Sequence, residues 1–362
     1  MKSDHNLTTN TGLSAVAKLA LSAFKRHSIY DDETSALWKH RLPNSCSEAD
    51  YLFHYARLAA NAHNTQPWLF GHVADAYVIK PDPARRTPAV DPDDHHLYCS
   101  LGCATENLLL AANAAGKAAS VTFNSVGNGE IQIRLLSQTD PRDPLFDAII
   151  DRQCTRSDYS GQPVPDAHLR RLSDMPQLSG CELIVITDTP LIEQVLELIL
   201  SANSAQIGDP AFVRELTSWL RFNAASALAT RDGLYAPCSG NPTLPNWLAG
   251  PVFKTVFTAN SENKKCARQV RSSSGLAIFV SDKDDREHWI SSGRNYQRFA
   301  LQATLLGIKH AFLNQPVEVL QFRKKLGALL GIGDRRPDIL VRFGYAEPMP
   351  RSLRRPVKQL LF

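Results

Sequence analysis

Two short segments of the 362-residue chain group side chains that could do chemistry. The first, Asn61-Ala62-His63-Asn64-Thr65-Gln66-Pro67-Trp68, places short amides on a proline-stiffened turn, where they suit hydrogen bonding to a ligand. The second, Arg152-Gln153-Cys154-Thr155-Arg156, carries two guanidinium groups, whose planar forks match phosphate or carboxylate oxygens. A third cluster, Arg351, Arg354 and Arg355, lies near the C-terminus. Other candidates are weaker. Asp94-His95-His96 invites a metal reading, but adjacent histidines are expected to point apart and no third ligand is spaced nearby. Cys99 and Cys103 share a helix face and read as packing residues. There is no Gly-x-Gly-x-x-Gly after a strand and no Gly-Lys-Ser/Thr phosphate loop.

The elements that must position these groups can be read from spacing. Apolar residues at helical intervals predict a helix over Ala49–Ala60, capped by Ser47 or Asp50 and ending near Asn61. Strands follow at Trp68–Phe70 and Tyr77–Ile79, then a loop over Pro81–Asp94 and a small-residue helix over Leu97–Ala115. Val121–Phe123 and Ile131–Leu135 predict a hairpin. After Pro141 the order restarts: a helix over Pro144–Asp151, a strand at Leu183–Thr187, a helix over Leu191–Ala202, a strand at Leu276–Val280, a helix over Trp289–Leu306 and a last strand at Pro337–Phe343. This predicts an α+β protein with a mixed sheet. Trp68 reads as core. An amphipathic helix over Leu13–Phe24 is too short to span a membrane.

An internal repeat is visible. Ser100–Gly116 aligns without a gap on Ser291–Gly307, pairing Gly102 with Gly293, Glu106 with Gln297 and Gly116 with Gly307, each 191 positions apart. So long a unit is a duplicated domain rather than a solenoid, and two copies in one chain can reproduce the two-fold contact of a homodimer. Division into lobes 1–140 and 141–362 follows, with a lid-like insertion around 204–250.

Composition bounds the function. A net charge of +4 gives no footprint for nucleic acid or an anionic membrane surface. Seven scattered cysteines without a C-x-x-C pattern fit reduced thiols in a cytoplasmic protein.

Ala60–Phe70 resembles a hallmark of the FMN-dependent nitroreductase superfamily, a helix ending in an Asn-x-Gln-Pro-Trp loop against the flavin. Asp82-x-x-Arg85, Ser100-x-Gly102, Glu106-Asn107, and Leu330-Gly331-Ile332 with the strand from Pro337 fit the same pattern. The family's phosphate motif, Arg-x-Ser-x-Arg/Lys, is missing before residue 60 and appears as Arg152–Arg156, while the second half lacks the Asn-x-Gln-Pro-Trp loop. Each half keeps what the other has lost, as in the two-lobed Acg-type nitroreductase-like proteins. The resemblance implies a nitroreductase-like fold in two tandem degenerate copies, an intramolecular pseudo-dimer with one FMN between the lobes, open to further association. The implied flavin contacts are Asn61, Ala62, His63, Asn64 and Gln66 from the loop, Arg152, Cys154, Thr155 and Arg156 from the second motif, Asn314 after the repeat helix, and Arg354 or Arg355 from the tail. Cys154 stands where the family usually has Ser or Thr, and Asn61-Ala62 replaces its usual Pro-Ser neighbourhood. The implied function is hydride transfer between FMN and NADH, NADPH or an organic substrate, in either direction. The alternative is an FMN-storage protein with a closed lid.

Overall fold

The computed structural model describes residues 15–137 and 141–362. Its first part contains α1 (Ala15–Leu37), α2 (Glu48–Ala56), β1 (Trp68–Val73), β2 (Ala76–Pro81), α3 (His95–Ala114), β3 (Ala118–Asn124) and β4 (Glu130–Leu136). Next come α4 (Asp166–Ser173), β5 (Cys181–Ile186), α5 (Thr189–Gly208), α6 (Pro210–Trp219), β6 (Leu220–Arg221), α7 (Ala224–Thr230), β7 (Leu234–Tyr235), α8 (Asn246–Val256) and α9 (Ala259–Arg271). The chain finishes with β8 (Gly275–Ser281), α10 (Arg286–Leu305), β9 (Lys309–Phe312), α11 (Gln315–Glu318), α12 (Leu320–Leu330) and β10 (Arg336–Gly344). The protein is α+β.

Two antiparallel four-stranded sheets carry the frame, in the orders β1-β2-β4-β3 and β5-β8-β10-β9. Numbered within its own half, each sheet has the order 1-2-4-3, and each places a 20-residue helix between its second and third strands. The 191-residue offset carries the start of α3 onto α10, its end likewise, and the start of β3 onto β9. Both helices stop at a left-handed glycine, Gly116 (φ 80°) and Gly307 (φ 72°). The Lys117 and Ile308 amides then reach back to the Ala112 and Ala303 carbonyls, which closes the last turn.

α3 and α10 pack at the centre. A Cβ on Gly102 would sit 2.1 Å from the Ile290 carbonyl oxygen, and one on Gly293 would sit 2.0 Å from that of Cys99. Ile290 is the repeat mate of Cys99, so this contact is two-fold within one chain. Polar pairs obey the same rule: Gln297 Nε2 donates to Asn107 Oδ1 (2.7 Å), and its mate contact runs from Arg298 to Glu106 (2.9 Å). The principal core is continuous across both halves, from Leu52, Trp68 and Phe70 to Phe279, Phe299 and Phe343. A second core under the other face of the β5–β9 sheet holds Val195, Leu276, Ile278 and Leu340. The central strands β8 and β10 are buried throughout, so their even and odd side chains feed different cores.

Several elements differ from expectation. Pro144–Ala148 is a short 3-10 turn, because proline at its start and the Asp143 cap favour a tight turn over so few residues. α2 stops at Ala56, since the carbonyls that would continue it are taken by arginines from elsewhere. Segment 187–274, between β5 and β8, contains five helices where the first half has a tight hairpin. The apolar face expected over Leu13–Phe24 lies outside the residues whose side chains are described. Trp68 is fully buried in the core.

Candidate functional site

The turn after α2 is held in an unusual conformation. His63, Asn64 and Gln66 all have positive φ (47°, 53° and 54°), a strain of roughly 1–3 kcal/mol per residue that surrounding contacts must offset. Asn61 Oδ1 accepts the Gln66 amide at 2.8 Å, closing the turn. The Asn64 side chain donates to the carbonyls of Gly233 (3.1 Å) and Leu353 (3.2 Å). Gln66 donates to the Arg231 carbonyl (2.9 Å) and accepts the Arg355 amide (2.7 Å). Asn64 and Gln66 thus clamp the turn between the five-helix insertion and the C-terminal tail. Gln66 faces neither of the cavities described below, so it does not reach the ligand position expected of it; its amide is spent on backbone.

Three buried arginines converge beneath this turn. Arg354 donates to the carbonyls of Arg57 (3.0 Å) and Ala59 (3.3 Å) and to Asn64 Oδ1 (2.8 Å). Arg152 donates to the Leu58 carbonyl at 3.2 Å. Arg57 reaches the Arg355 carbonyl at 2.8 Å and His54 Nδ1 at 3.1 Å. The bonds from Arg152 and Arg354 take the carbonyls of Arg57, Leu58 and Ala59 just past α2 and explain why that helix ends early. Arg57, Arg152 and Arg354 are 4–7% exposed, and none has an ion-pair partner among the described residues. The Nε atoms of Arg57 and Arg152 are buried without a hydrogen-bond partner among the described residues. Burial, reinforced by mutual repulsion with Arg152, pulls the Arg354 guanidinium down to about 9. Burial likewise lowers Arg57 to about 10. His310, buried and next to Arg152, falls to about 3.

Two adjoining cavities open here. The smaller, about 70 Å³, is lined by Asn64, Arg152, Cys154, Arg351 and Arg354 among others. The larger, about 600 Å³, is lined by Ala62, His63, Asn314 and the α3 face His96, Cys99, Ser100 and Cys103. Ala60, Asn61, Arg156, Leu234 and Phe312 wall both. The Arg156 guanidinium makes no hydrogen bond or ion pair among the described residues. Helices α6 and α8 cover the larger cavity with Phe212, Leu216, Val252, Phe253 and Val256. Part of the expected lid segment therefore lies over the chamber, and the cover extends beyond it into α9.

Nine of the twelve expected residues face these cavities on the same side chains: Asn61, Ala62, His63, Asn64, Arg152, Cys154, Arg156, Asn314 and Arg354. Gln66, Thr155 and Arg355 do not. Thr155 is buried, with its amide on the His310 carbonyl, which aligns segment 152–156 beside β9. Arg355 lies 3.5 Å from Asp82 instead. Arg57 was missed, because at the end of an amphipathic helix it looks like an ordinary last-turn cation.

The two adjacent histidines do not point apart. The His95 and His96 rings lie 4.6 Å between centroids, and their nitrogens and Cys99 Sγ fall within 4.8 Å of one another. The third group is one turn away on the same helix. Hydrogen bonds account for the contact: His95 Nε2 meets Asp338 Oδ1 at 3.0 Å, Asp338 also accepts from Ser292, and the Cys99 thiol is held neutral by burial.

No family model matches the chain. Two curated Mycobacterium tuberculosis proteins, from strains CDC 1551 / Oshkosh and H37Rv and both provisionally named NAD(P)H nitroreductase, are each 23% identical to it over 316 residues. The match covers 84% of this chain and 88% of each relative. Among solved structures, a Bacteroides fragilis nitroreductase with bound FMN is 16% identical, covering 59% of this chain and 95% of that one at a TM-score of 0.38. An FMN-dependent nitroreductase from Mycobacterium smegmatis in complex with NADPH is also 16% identical, covering 57% and 92% at a TM-score of 0.37. Likeness at that level assigns no residue. Over most of its length, then, the chain resembles the nitroreductase superfamily, as residues 60–70 alone already do.

Proposed function

We propose that the chain is an FMN-dependent oxidoreductase with one flavin site where its two halves meet. The observation that carries this reading is the uncompensated charge of Arg57, Arg152 and Arg354. Three buried cations face neutral acceptors and the C-terminal end of α2, whose dipole supplies roughly half a negative charge. Roughly two and a half positive charges remain, and a phosphate ester offsets nearly two of them. The unpartnered Nε of Arg152, which lines the smaller cavity, fits the same ligand. The larger chamber, reached past Asn61 and Arg156, accommodates a planar ring system.

On this reading Arg152 and Arg354 hold the phosphate, Arg57 adds to the field, and Asn64 holds Arg354 in place. Asn61, Ala62, His63, Arg156 and Asn314 border the ring. FMN, when bound, supplies hydride exchange with NADH, NADPH or an organic partner. Arg156, a cation without a counter-ion, stabilises negative charge arriving in the chamber. The apolar cover excludes water from it. One site rather than two is supported by what happens at the repeat position: Cys103 lines the chamber, whereas its mate Arg294 is locked to Glu106 at 2.9 Å. The two-lobe division and an origin by gene duplication belong to the same proposal.

The helical cover favours a second reading, storage of FMN without turnover. One experiment separates them. Purified protein is expected to be yellow, and NADH or NADPH is expected to bleach it without oxygen. A yellow protein that neither nucleotide bleaches is a storage protein. A colourless protein that refuses added FMN sinks both readings.

A further inference from the structure

Away from the arginines, the larger chamber has one wall that the flavin reading does not use. α3 presents His96 there, and α11 presents Glu318. The His96 ring is 6% exposed and Glu318 is 16% exposed. His96 Nε2 lies 3.4 Å from Glu318 Oε1, an ion-pair distance, while Glu318 Oε2 accepts Gln206 Nε2 from α5 at 2.6 Å. One carboxylate oxygen is therefore fixed and the other is turned to the imidazole. Apart from this ion pair His96 Nε2 has no partner, and His63 Nδ1 is buried without a hydrogen-bond partner, among the described residues.

The groups facing His96 favour its charged form. Asp91, in the loop before α3, takes the His96 and Leu97 amides at 3.0 Å each and stands close to the ring. Glu318 faces it from α11. Against these stand Arg336 from β10, His63 from the turn and His95 on its own helix, the last held neutral by burial. Burial alone would lower His96, but Glu318 and Asp91 outweigh it and hold the ring above the ordinary histidine value. Burial alone would raise Glu318, but His96 and Gln206 hold it below the usual carboxylate range. These neighbours favour a protonated ring, in a chamber also lined by Phe212, Leu216, Phe253 and Val256.

We propose that His96, oriented by Glu318, is the acid that gives a proton to an apolar electron acceptor bound in this chamber. This rests on the oxidoreductase reading. The acceptor takes two electrons and one proton as a hydride from the reduced cofactor. Its reducible oxygen or nitrogen takes a second proton from His96. Glu318 holds Nε2, so the bond that breaks is Nδ1–H and the bond that forms is O–H or N–H on the acceptor. Neutral imidazole remains beside Glu318 and regains its proton from water as the product leaves. The carboxylate–imidazole pairing keeps the ring in one orientation and strengthens its hold on the proton between turnovers.

The test compares FMN-loaded wild type with His96→Gln and Glu318→Gln, using 2-methyl-1,4-naphthoquinone as the acceptor. Stopped-flow reoxidation of the bleached protein by this quinone should slow 10²- to 10⁴-fold in His96→Gln and lose its dependence on pH. Flavin affinity and the rate of bleaching should stay within a few-fold. Independently of flavin, isotope-edited NMR of the apo-protein should show His96 titrating above the ordinary histidine range in wild type and returning toward it in Glu318→Gln. Normal bleaching with an unchanged quinone rate in His96→Gln overturns this proposal alone. So does a His96 that titrates at or below the ordinary value in wild type. Failure of the wild type to bind or reduce FMN overturns the oxidoreductase reading, and this proposal with it.

Discussion

Replacing Arg152 by methionine separates a ligand-binding cation from a structural one. Among the described residues the Arg152 guanidinium makes a single hydrogen bond, to the Leu58 carbonyl at 3.2 Å, and leaves Nε unpartnered. Losing a bond from a charged donor costs roughly 1.5–3 kcal/mol, and relieving an unpaired buried polar atom returns about 1–3 kcal/mol. Methionine fills much of the same volume without a charge to desolvate. The two effects nearly cancel, so apo-stability should change by no more than about 1.5 kcal/mol, in either direction. Affinity for FMN behaves differently. A lost charge-assisted contact to phosphate removes roughly 2–3 kcal/mol, which weakens Kd about 30- to 150-fold. Flavin-fluorescence titration measures the second quantity, and chemical denaturation of apo-protein measures the first. Inorganic phosphate should also raise the melting temperature of wild type and leave that of Arg152→Met unmoved. An apo-protein crippled by several kcal/mol that still binds FMN with wild-type affinity would refute the assignment, because the arginine would then be serving α2 and nothing else.

Arg354→Met should behave unlike Arg152→Met. It strips hydrogen bonds from Arg57, Ala59 and Asn64 at once, so apo-stability and flavin affinity should fall together, the former by about 2–4 kcal/mol in denaturation experiments. Gly102→Ala sets a Cβ against the Ile290 carbonyl and should destabilise by about 1–3 kcal/mol or more; its mate Gly293→Ala should do the same, and the double variant should cost less than the sum because either change already parts the helices. His310 supplies a pH prediction. Its folded value, depressed to about 3 by burial and Arg152, lies below the ordinary 6.5, so its stabilising effect is full above about 6.5 and is lost as pH falls toward 3. Each unit in that window costs about 1.4 kcal/mol, and His310→Gln should flatten the slope of stability against pH by that amount.

The parts of the site that the sequence discloses are those built from local, stiff patterns. The 191-residue offset predicts the start and end of α10 from those of α3 because close helix approach demands glycine at matching places, and the backbone contacts of Gly102 and Gly293 meet that demand. The turn at Asn61–Pro67 is legible for a similar reason, since few sequences hold three left-handed residues so close together. What that turn does with its amides is not legible. Asn64 and Gln66 bond to residues 231–233 and 353–355, and no spacing rule announces contacts across so much chain. α5 was expected over Leu191–Ala202, but the helices that follow it escaped, with Gly233, Pro237, Gly240, Pro242 and Pro245 setting turn signals among short amphipathic segments. Glu318 and His96 are 222 positions apart, and the face of α3 that carries Cys99 and Cys103, read from the sequence as packing, lines the cavity.

On the proposed reading, the two-fold contact and a single site are compatible. A symmetric helix pair gives a rigid base, since each glycine fixes the other helix's backbone and Glu106, Gln297, Asn107 and Arg298 lock the register. Symmetry alone would offer two equal chambers. It is broken at specific positions: Cys103 against Arg294 on the helices, a tight β1–β2 hairpin against the five-helix cover between β5 and β8, and a strained amide turn present in one half only. An arginine at the Cys103 position would carry a cation into the chamber wall beside Arg152, which already depresses His310 and Arg354. A small thiol keeps the wall open and uncharged. At the repeat position, Glu106 neutralises Arg294 and Arg298 instead.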